Sequence, residues 1–211
     1  MKIAREGIPF ILPFLALSIA FLGLGWWVLF LLFLVIALAF SFFFRDPFRT
    51  IPQLENLLVA PADGKIVKIE NLESHPSFRS STPVTSISIF LSLFDVHLTR
   101  APLSGTVQKI EYKAGRFFPA YKDQASRENE SNSMYIKGDK TDTYLKQIVG
   151  VAARRIKCFA KENDRIARGQ KIGLMYFGSR VEIYLPQDVT IKACLHQKVK
   201  AGETVIAEVK Q

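Results

Sequence analysis

The chain has 211 residues, of which 49% are hydrophobic, so it fits one domain or a smaller domain joined to a membrane segment. Global disorder is excluded, because a disordered chain is poor in large apolar residues. Lys and Arg number 28 against 19 Asp and Glu, which gives a net charge of +9 and favours an anionic partner, either nucleic acid or anionic lipid. The two cysteines, Cys158 and Cys194, support neither a disulfide framework nor a zinc site, so a reducing compartment is expected.

The first part of the chain contains 38 consecutive residues without a charge, 7–44. One membrane crossing needs about 20 residues, so we predict that this run is interrupted near residues 23–25 and forms a helical hairpin. A single tilted span and a re-entrant hairpin are the alternatives. A signal peptide is disfavoured, because the run is far longer than the apolar region of such peptides. Basic residues at both ends of the run predict that both termini of the hairpin are cytoplasmic: Lys2, Arg5, Arg45 and Arg49.

The rest of the chain has short apolar runs that are rich in β-branched residues and separated by Gly and Pro. We therefore expect an anchor over residues 1–49 and a mainly β domain over residues 50–211. One short helix is predicted within residues 117–131. The predicted strands are 65–70, 84–93, 106–112, 133–136, 146–153, 181–185, 190–194 and 204–209.

Two internal repeats indicate duplicated hairpin units. The first is Ala60-Pro61-x-x-Gly64, which recurs as Ala101-Pro102-x-x-Gly105. The second is Arg165-Ile166-x-x-Gly169, which recurs as Lys198-Val199-x-x-Gly202. Each unit combines a strand with a glycine turn, and the second resembles the hammerhead turns of lipoyl and biotinyl carrier domains in shape, with no cofactor implied. We predict a compact β-sandwich or barrel-sandwich-like domain.

Individual residues that could carry chemistry are weak signals on their own. Gly178-Ser179 is typical of an ordinary turn, and it lacks the second glycine of a hydrolase G-x-S-x-G motif. Asp63 precedes a glycine and is typical of a turn former. A single histidine at the end of an apolar strand, such as His97, is usually structural, but Asp95 and Arg100 lie within three residues of it.

Taken together, the motifs resemble the phosphatidylserine decarboxylase family in its short, membrane-anchored form. The resemblance covers about residue 42 to the C-terminus and consists of five motifs in order: Phe43-Phe44-Arg45-Asp46-Pro47-x-Arg49, Pro61-Ala62-Asp63-Gly64, Leu91-Ser92-x-x-Asp95-Val96-His97-x-x-Arg100-x-Pro102-x-x-Gly105, Asn129-Glu130-x-Asn132 and Phe177-Gly178-Ser179-Arg180.

The resemblance implies a proenzyme that cuts its own backbone between Gly178 and Ser179. This yields a β chain of residues 1–178 and an α chain of residues 179–211, which are expected to form a heterodimer that could dimerise further. Ser179 becomes a covalent pyruvoyl group, which forms a Schiff base with the serine amine of the lipid and withdraws the electrons left by carbon dioxide. The product is phosphatidylethanolamine. No separate cofactor and no metal are expected.

The resemblance also suggests roles for particular residues. His97 and Asp63 are the candidate base and its orienter for self-cleavage, and His97 is the candidate proton donor in decarboxylation, with water as the alternative. Arg100 stands where longer members have a second histidine, so it is a candidate ligand for the substrate phosphate or carboxylate. Ser131 replaces an arginine found in many members. The other candidate substrate-binding residues are Phe117, Asn129, Glu130 and Asn132.

The expected partner is phosphatidylserine or a related serine phospholipid in the cell membrane, with the catalytic domain on the cytoplasmic side and no nucleic acid. The loop over residues 112–131 mixes cations with aromatic residues, so it is either a solvated loop or one that enters the headgroup zone. Two alternative functions stay open. One is decarboxylation of archaetidylserine, the ether-lipid counterpart, and the other is a non-catalytic, membrane-tethered carrier-like module.

Overall fold

The computed structural model describes residues 2–76, 78, 83–151, 155–176 and 179–210. The chain forms two compact units, Met1–Phe48 and Arg49–Gln211. The first is helical and apolar, and the second is mainly β. Both features agree with the predicted fold class, which is confirmed.

Two apolar helices, α1 (Ile8–Gly23) and α2 (Trp27–Phe43), make up most of the first unit. Gly25 adopts a φ of 74° between them, a conformation that glycine reaches without steric cost. By length and composition, the helical stretch Arg5–Gly23 could cross a membrane, whereas Trp27–Phe43 is shorter. Many of the large apolar side chains on both helices are exposed.

The two helices pack side by side through aromatic rings. Phe14 stacks on Phe40 and Phe21 stacks on Phe33, each with ring centroids 5.4 Å apart. A short 3-10 helix (Arg5–Gly7) precedes α1. At the base of the pair, β1 (Lys2–Ile3) forms an antiparallel ladder with β2 (Arg45–Asp46).

The second unit contains fourteen strands and one short helix among the described residues. They are β3 (Leu57–Val59), β4 (Gly64–Leu72), β5 (Val84–Leu91), β6 (Leu98–Arg100), β7 (Gly105–Lys113), α3 (Asp123–Glu128), β8 (Ser131–Gly138), β9 (Thr143–Val149), β10 (Ile156–Cys158), β11 (Arg165–Ile166), β12 (Lys171–Met175), β13 (Ser179–Pro186), β14 (Val189–Ile191), β15 (Lys198–Val199) and β16 (Val205–Val209).

An antiparallel sheet of eight strands organises this unit, in the order β11-β7-β8-β9-β13-β5-β4-β15. Two sheets of three strands, β10-β12-β6 and β14-β16-β3, complete the β structure. Strand β13 is central in the large sheet, because it pairs with β5 on one side and β9 on the other.

Side chains alternate along β13, as the two-residue period of a strand requires. Val181, Ile183 and Leu185 belong to the hydrophobic core. Arg180 and Glu182 lie on the opposite face and are also buried. This central strand is therefore covered on both faces, by apolar residues on one and by polar partners on the other.

The duplicated units pair across the repeats. Strand β4, from the first copy of the Ala-Pro-x-x-Gly repeat, pairs with β15, from the second copy of the other repeat. Likewise β7, from the second copy of the Ala-Pro-x-x-Gly repeat, pairs with β11, from the first copy of the other repeat. The hydrogen bonds repeat as well. Gly202 N donates to Ala60 O at 2.9 Å, and Gly169 N donates to Ala101 O at 2.8 Å. The two halves are thus related by an approximate twofold arrangement.

Strand boundaries differ from the predicted ones for local reasons. The predicted strand 84–93 ends at Leu91, because Ser92 begins a closed turn. The predicted strand 146–153 is β9, which spans Thr143–Val149, and residues 152 and 153 lie outside the described residues. The helix predicted within 117–131 is α3.

Candidate active site

Ser179 is the first residue of β13 and faces the core side of the large sheet. Its cross-strand partners are Leu91, at the end of β5, and Val149, at the end of β9. Ser179 is 0% exposed, and its Oγ makes no hydrogen bond to the described part of the chain. Leaving a buried hydroxyl unbonded costs about 1–3 kcal/mol, which calls for a functional explanation. Gly178 lies outside the described residues.

His97 is buried directly before β6. Its main-chain carbonyl accepts a hydrogen bond of 3.1 Å from the N–H of Met175, at the end of β12 and four residues before Ser179. Its ring Nδ1 lies 3.0 Å from the carbonyl oxygen of Asp95. Because a carbonyl can only accept, Nδ1 carries the hydrogen, and the lone pair of the neutral ring is on Nε2. The role of Nε2 as a base stays a prediction.

A closed turn connects β5 to His97. The N–H and the hydroxyl of Ser92 donate to Asp95 Oδ2, at 2.8 and 2.6 Å, and Asp95 N donates to Ser92 O at 3.0 Å. This turn starts one residue after Leu91, the cross-strand partner of Ser179. Two short chain segments thus lead from the neighbourhood of Ser179 to His97.

Asp63 is a buried carboxylate with three hydrogen bonds. Arg49 Nη2 donates to its Oδ1 and Oδ2, at 2.9 and 2.7 Å, and Ala201 N donates to Oδ1 at 2.8 Å. Burial raises the pKa of Asp63, while the Ala201 N–H and the Arg49 charge act to lower it. Asp63 thus joins the segment after the anchor to the turn around Ala201. Its role as an orienter of His97 stays a prediction, since in this structure the Asp95 carbonyl bonds the ring.

Arg100 lies at the end of β6, where its Nη1 donates to Gly169 O at 2.9 Å. Its backbone N–H also donates to Pro61 O at 2.8 Å. Both contacts are with glycine- and proline-containing turns of the duplicated units. A contact between Arg100 and a substrate anion stays a prediction.

Asn129 fastens the loop over residues 112–131 to the large sheet. Its Nδ2 donates to Phe118 O and Val149 O, at 2.7 and 2.8 Å, and its Oδ1 accepts from Phe118 N at 2.8 Å. Glu130 O accepts from Val149 N at 3.1 Å. With these bonds the Asn129 side chain holds this loop against the end of β9. Phe117 is partly exposed in the same loop.

Asn132 belongs to a polar chain inside the unit. Its Nδ2 donates to Gln147 Oε1 at 3.0 Å, and Gln147 Nε2 donates to Thr99 Oγ1 at 2.9 Å. All three residues are buried. The chain links β8 and β9 to β6, the strand that follows His97. A substrate contact of Asn132, like those of Phe117, Asn129 and Glu130, stays a prediction.

Sequence reasoning missed a buried polar cluster on the opposite face of β13. Arg180 Nη2 lies 3.0 Å from Glu182 Oε1 and also donates to Ser126 Oγ. Ser126 Oγ donates to Glu182 Oε1 at 2.5 Å, and Tyr184 OH donates to Glu182 Oε2 at 2.8 Å. Burial raises the pKa of Tyr184 and lowers that of Lys146, which lines the same cavity of about 340 Å³. The alternation of polar residues at positions 180, 182 and 184 was the available signal.

Arg49 was also missed as a site residue, although it is part of the first family motif. Its side chain contacts Asp63 and lies 3.7 Å from Glu203. No group of three or more His, Cys, Asp or Glu residues within the described ranges is arranged to hold a metal ion.

Comparisons with known proteins identify the family of the chain. The family model for phosphatidylserine decarboxylase matches residues 36–207. A phosphatidylserine decarboxylase proenzyme of Syntrophus aciditrophicus (strain SB) is 42% identical over 206 residues, covering 96% of this chain and 95% of the relative. A protein of the same name from Saccharopolyspora erythraea is 45% identical over 170 residues, covering 80% of this chain and 72% of the relative. These names do not favour the ether-lipid or carrier-module alternatives. The chain belongs to the phosphatidylserine decarboxylase family.

Proposed function

We propose that this chain is the proenzyme of a phosphatidylserine decarboxylase, which releases carbon dioxide from phosphatidylserine and makes phosphatidylethanolamine. The observation that carries the proposal is the position of Ser179. In a chain of this family, its hydroxyl is fully buried at the start of the central strand and makes no hydrogen bond to the residues that the structure describes. A buried nucleophile without a hydrogen-bond partner fits a group that is consumed during maturation.

Self-cleavage would start with attack of Ser179 Oγ on the carbonyl carbon of Gly178, while His97 Nε2 accepts the hydroxyl proton. The C–N bond breaks as the ester C–O bond forms, and the amide nitrogen takes a proton. Loss of the Cα proton of Ser179 then expels the Gly178 carboxylate and leaves dehydroalanine. Addition of water and release of ammonia produce the pyruvoyl group.

The bound pyruvoyl group supplies a carbonyl that condenses with an amine and withdraws the electron pair left by carbon dioxide. The chain's own residues would transfer protons and hold the reacting groups in position. His97, protonated at Nε2 by solvent, would donate that proton to the substrate carbon, because its Nδ1–H is held by Asp95 O. The chain Asn132–Gln147–Thr99 fixes the strand next to His97. Water is the alternative proton source.

The two fragments would stay together as a heterodimer after cleavage. The α chain of residues 179–211 contains β13, which lies between β5 and β9 of the β chain. Its core side chains Val181, Ile183 and Leu185 are fully buried, and each contributes about 1.5–3 kcal/mol. The bond from Ala201 N to Asp63 and the cluster of Arg180 with Ser126 also cross between the two chains.

The helical pair would anchor the enzyme in the cell membrane. The apolar stretch Arg5–Gly23 is long enough to cross a bilayer. Basic residues at both ends of the pair favour a hairpin whose termini face the cytoplasm. This orientation places the catalytic domain on the cytoplasmic side, next to its lipid substrate.

A denaturing mass spectrum of the purified protein, with and without borohydride, tests the proposal. We expect two chains that meet at 178/179, and the α chain should lack its amino group and gain two hydrogens on reduction. The Ser179→Ala variant is the matched control and should remain one chain. Release of carbon dioxide from phosphatidylserine should accompany the two-chain form alone. An uncut wild-type chain that persists on incubation contradicts self-processing, and two chains from Ser179→Ala would remove Ser179 from the mechanism.

A further inference from the structure

Large apolar side chains are exposed at the end of the sheet where Ser179 lies. Strands β5 and β9 both end at the cross-strand partners of Ser179, Leu91 and Val149. Two and three residues after Leu91, Leu93 is 53% exposed and Phe94 is 76% exposed. Two residues after Val149, Val151 is 58% exposed. Apolar groups therefore flank the start of β13 on both sides.

The turn that contains Leu93 and Phe94 is closed by its own hydrogen bonds. Ser92 donates twice to the Asp95 carboxylate, and Asp95 N donates back to Ser92 O. The two apolar residues are the central residues of this turn, and the bonds at its base keep them displayed towards solvent. Single exposed apolar residues are common on soluble proteins, whereas this closed turn presents two of them beside the end of β5 that pairs with Ser179.

The loop over residues 112–131 adds aromatic and basic residues to the same end. Asn129 bonds Phe118 and the Val149 carbonyl, so the loop is fastened beside the end of β9. Phe117 is 38% exposed, and the adjacent Arg116 side chain is 72% exposed. Aromatic residues next to cations are typical of surfaces that meet lipid headgroups.

We propose that Leu93, Phe94, Phe117 and Val151 form an apolar rim that enters the headgroup and upper acyl zone of the membrane. This inference rests on the proposed function. A phospholipid can then bring its headgroup to the end of the sheet where Ser179 lies while its acyl chains stay in the bilayer, which avoids exposing them to water. The bilayer is favoured over a second protein copy because the substrate already resides there. The Arg116 guanidinium, which lies 3.4 Å from Glu128 but stays 72% exposed, supplies charge complementarity to lipid phosphates.

The test compares two substrates in the full chain that carries Leu93→Ser and Phe94→Ser together. One substrate is long-chain phosphatidylserine diluted in phosphatidylcholine vesicles, and the other is a short-chain phosphatidylserine dissolved as a monomer. We expect carbon dioxide release from vesicles to fall by about tenfold or more, while self-processing and turnover of the monomeric lipid stay within about threefold.

Leu54→Ser is the matched control, because Leu54 is also highly exposed (66%). Leu54 and Lys140 line one cavity. Lys140 lies in the connection between β8 and β9, at the end of these strands opposite Val149, so Leu54 is away from the proposed rim. We expect this variant to behave like the wild type on both substrates. Equal losses on both substrates for the double variant, or no loss on either, would overturn the proposal.

A second measurement does not depend on activity. Phe94→Trp is placed in a chain with Trp26→Phe and Trp27→Phe, so that one indole reports on the turn. We expect brominated lipids in phosphatidylcholine–phosphatidylserine vesicles to quench its fluorescence. Absence of quenching overturns the proposed rim. If quenching is absent and the double serine variant also has a lower oligomeric mass than the wild type, the turn contacts a second copy of the chain instead. If the wild type turned over neither lipid, the proposed function would fail and the quenching would still decide the rim.

Discussion

Replacing Arg49 by methionine tests the buried ion pair that joins the segment after the anchor to the catalytic unit. The Arg49 side chain is 6% exposed and that of Asp63 is 12% exposed. Removing one partner of such a pair costs about 3–5 kcal/mol, because the remaining charge stays buried. Asp63 keeps its bond from Ala201 N and can also take up a proton. We therefore expect the lower end of this range, about 3 kcal/mol.

The assay is thermal unfolding of the Arg49→Met variant, followed by the β-sheet signal in circular dichroism. Tryptophan fluorescence would report on the anchor, since both tryptophans, Trp26 and Trp27, lie there. Parent and variant both carry Ser179→Ala, so that a single uncut chain unfolds. A chain of this length loses about 2–4 °C in Tm per kcal/mol, so the expected decrease is roughly 6–12 °C.

Arg165→Met is the matched control. Arg165 Nη2 contacts both carboxylate oxygens of Asp139 at 2.7 Å, much as Arg49 contacts Asp63. This pair is solvent-exposed, with side chains at 62% and 53%, so its loss should cost about 0–1 kcal/mol. If Arg49→Met lost no more stability than Arg165→Met, the assigned importance of burial would be refuted.

The stability deficit of Arg49→Met should also depend on pH. Burial raises the pKa of Asp63 above 3.8, and the Arg49 charge opposes this increase. Without Arg49 the pKa rises further, so the folded state retains a proton that the unfolded state releases. Stability therefore falls as the pH rises from 3.8 through the folded-state pKa, and the deficit should grow over this range. A deficit that shrinks over this range contradicts the reasoning.

Three further outcomes are expected. His97→Ala should lower decarboxylation by about 100-fold or more, since it removes the proposed general acid–base group; near-normal carbon dioxide release from serine phospholipid would end its proposed role. Arg180→Met leaves Glu182 buried without its cation and should cost about 3 kcal/mol, seen as a lower urea midpoint of the Ser179→Ala chain, and an unchanged midpoint would count against the cluster. Deleting residues 1–44 should move most of the protein from the membrane pellet to the supernatant in sedimentation, and full retention would show that the anchor is not needed for binding.

The β class and the central strand were predictable from the sequence, because alternation at 181–185 is a local pattern. The end of β5 was less predictable. Residues up to Leu93 are apolar enough to continue a strand, but the Asp95 carboxylate closes a turn at Ser92. Six strands of the second unit lie outside the predicted strands, because each has only two to five residues and most pair with strands distant in sequence: β3, β6, β10, β11, β12 and β15.

The site was predictable where a family motif names the residue and unpredictable where distant residues make the contact. Ser179 and His97 were singled out by motif. The partners of Arg49 could not be inferred, since Asp63 is 14 residues away and Glu203 lies near the other end of the chain. The role of Ser126 depends equally on contacts that no local pattern records, with Arg180 and Glu182.

The duplicated arrangement has a consequence for the order of biosynthetic events. The bond from Gly169 to Ala101 would lie within the β chain, whereas its counterpart from Gly202 to Ala60 would join two separate molecules after cutting. The α chain would then be a fragment whose strands are hydrogen-bonded to strands of the larger β chain. Before cutting, the linked segments meet at a high effective concentration, which a free peptide would not reach at cellular levels. Folding should therefore precede cleavage, and synthesis as one precursor delivers both chains in equal amounts, each already in its register.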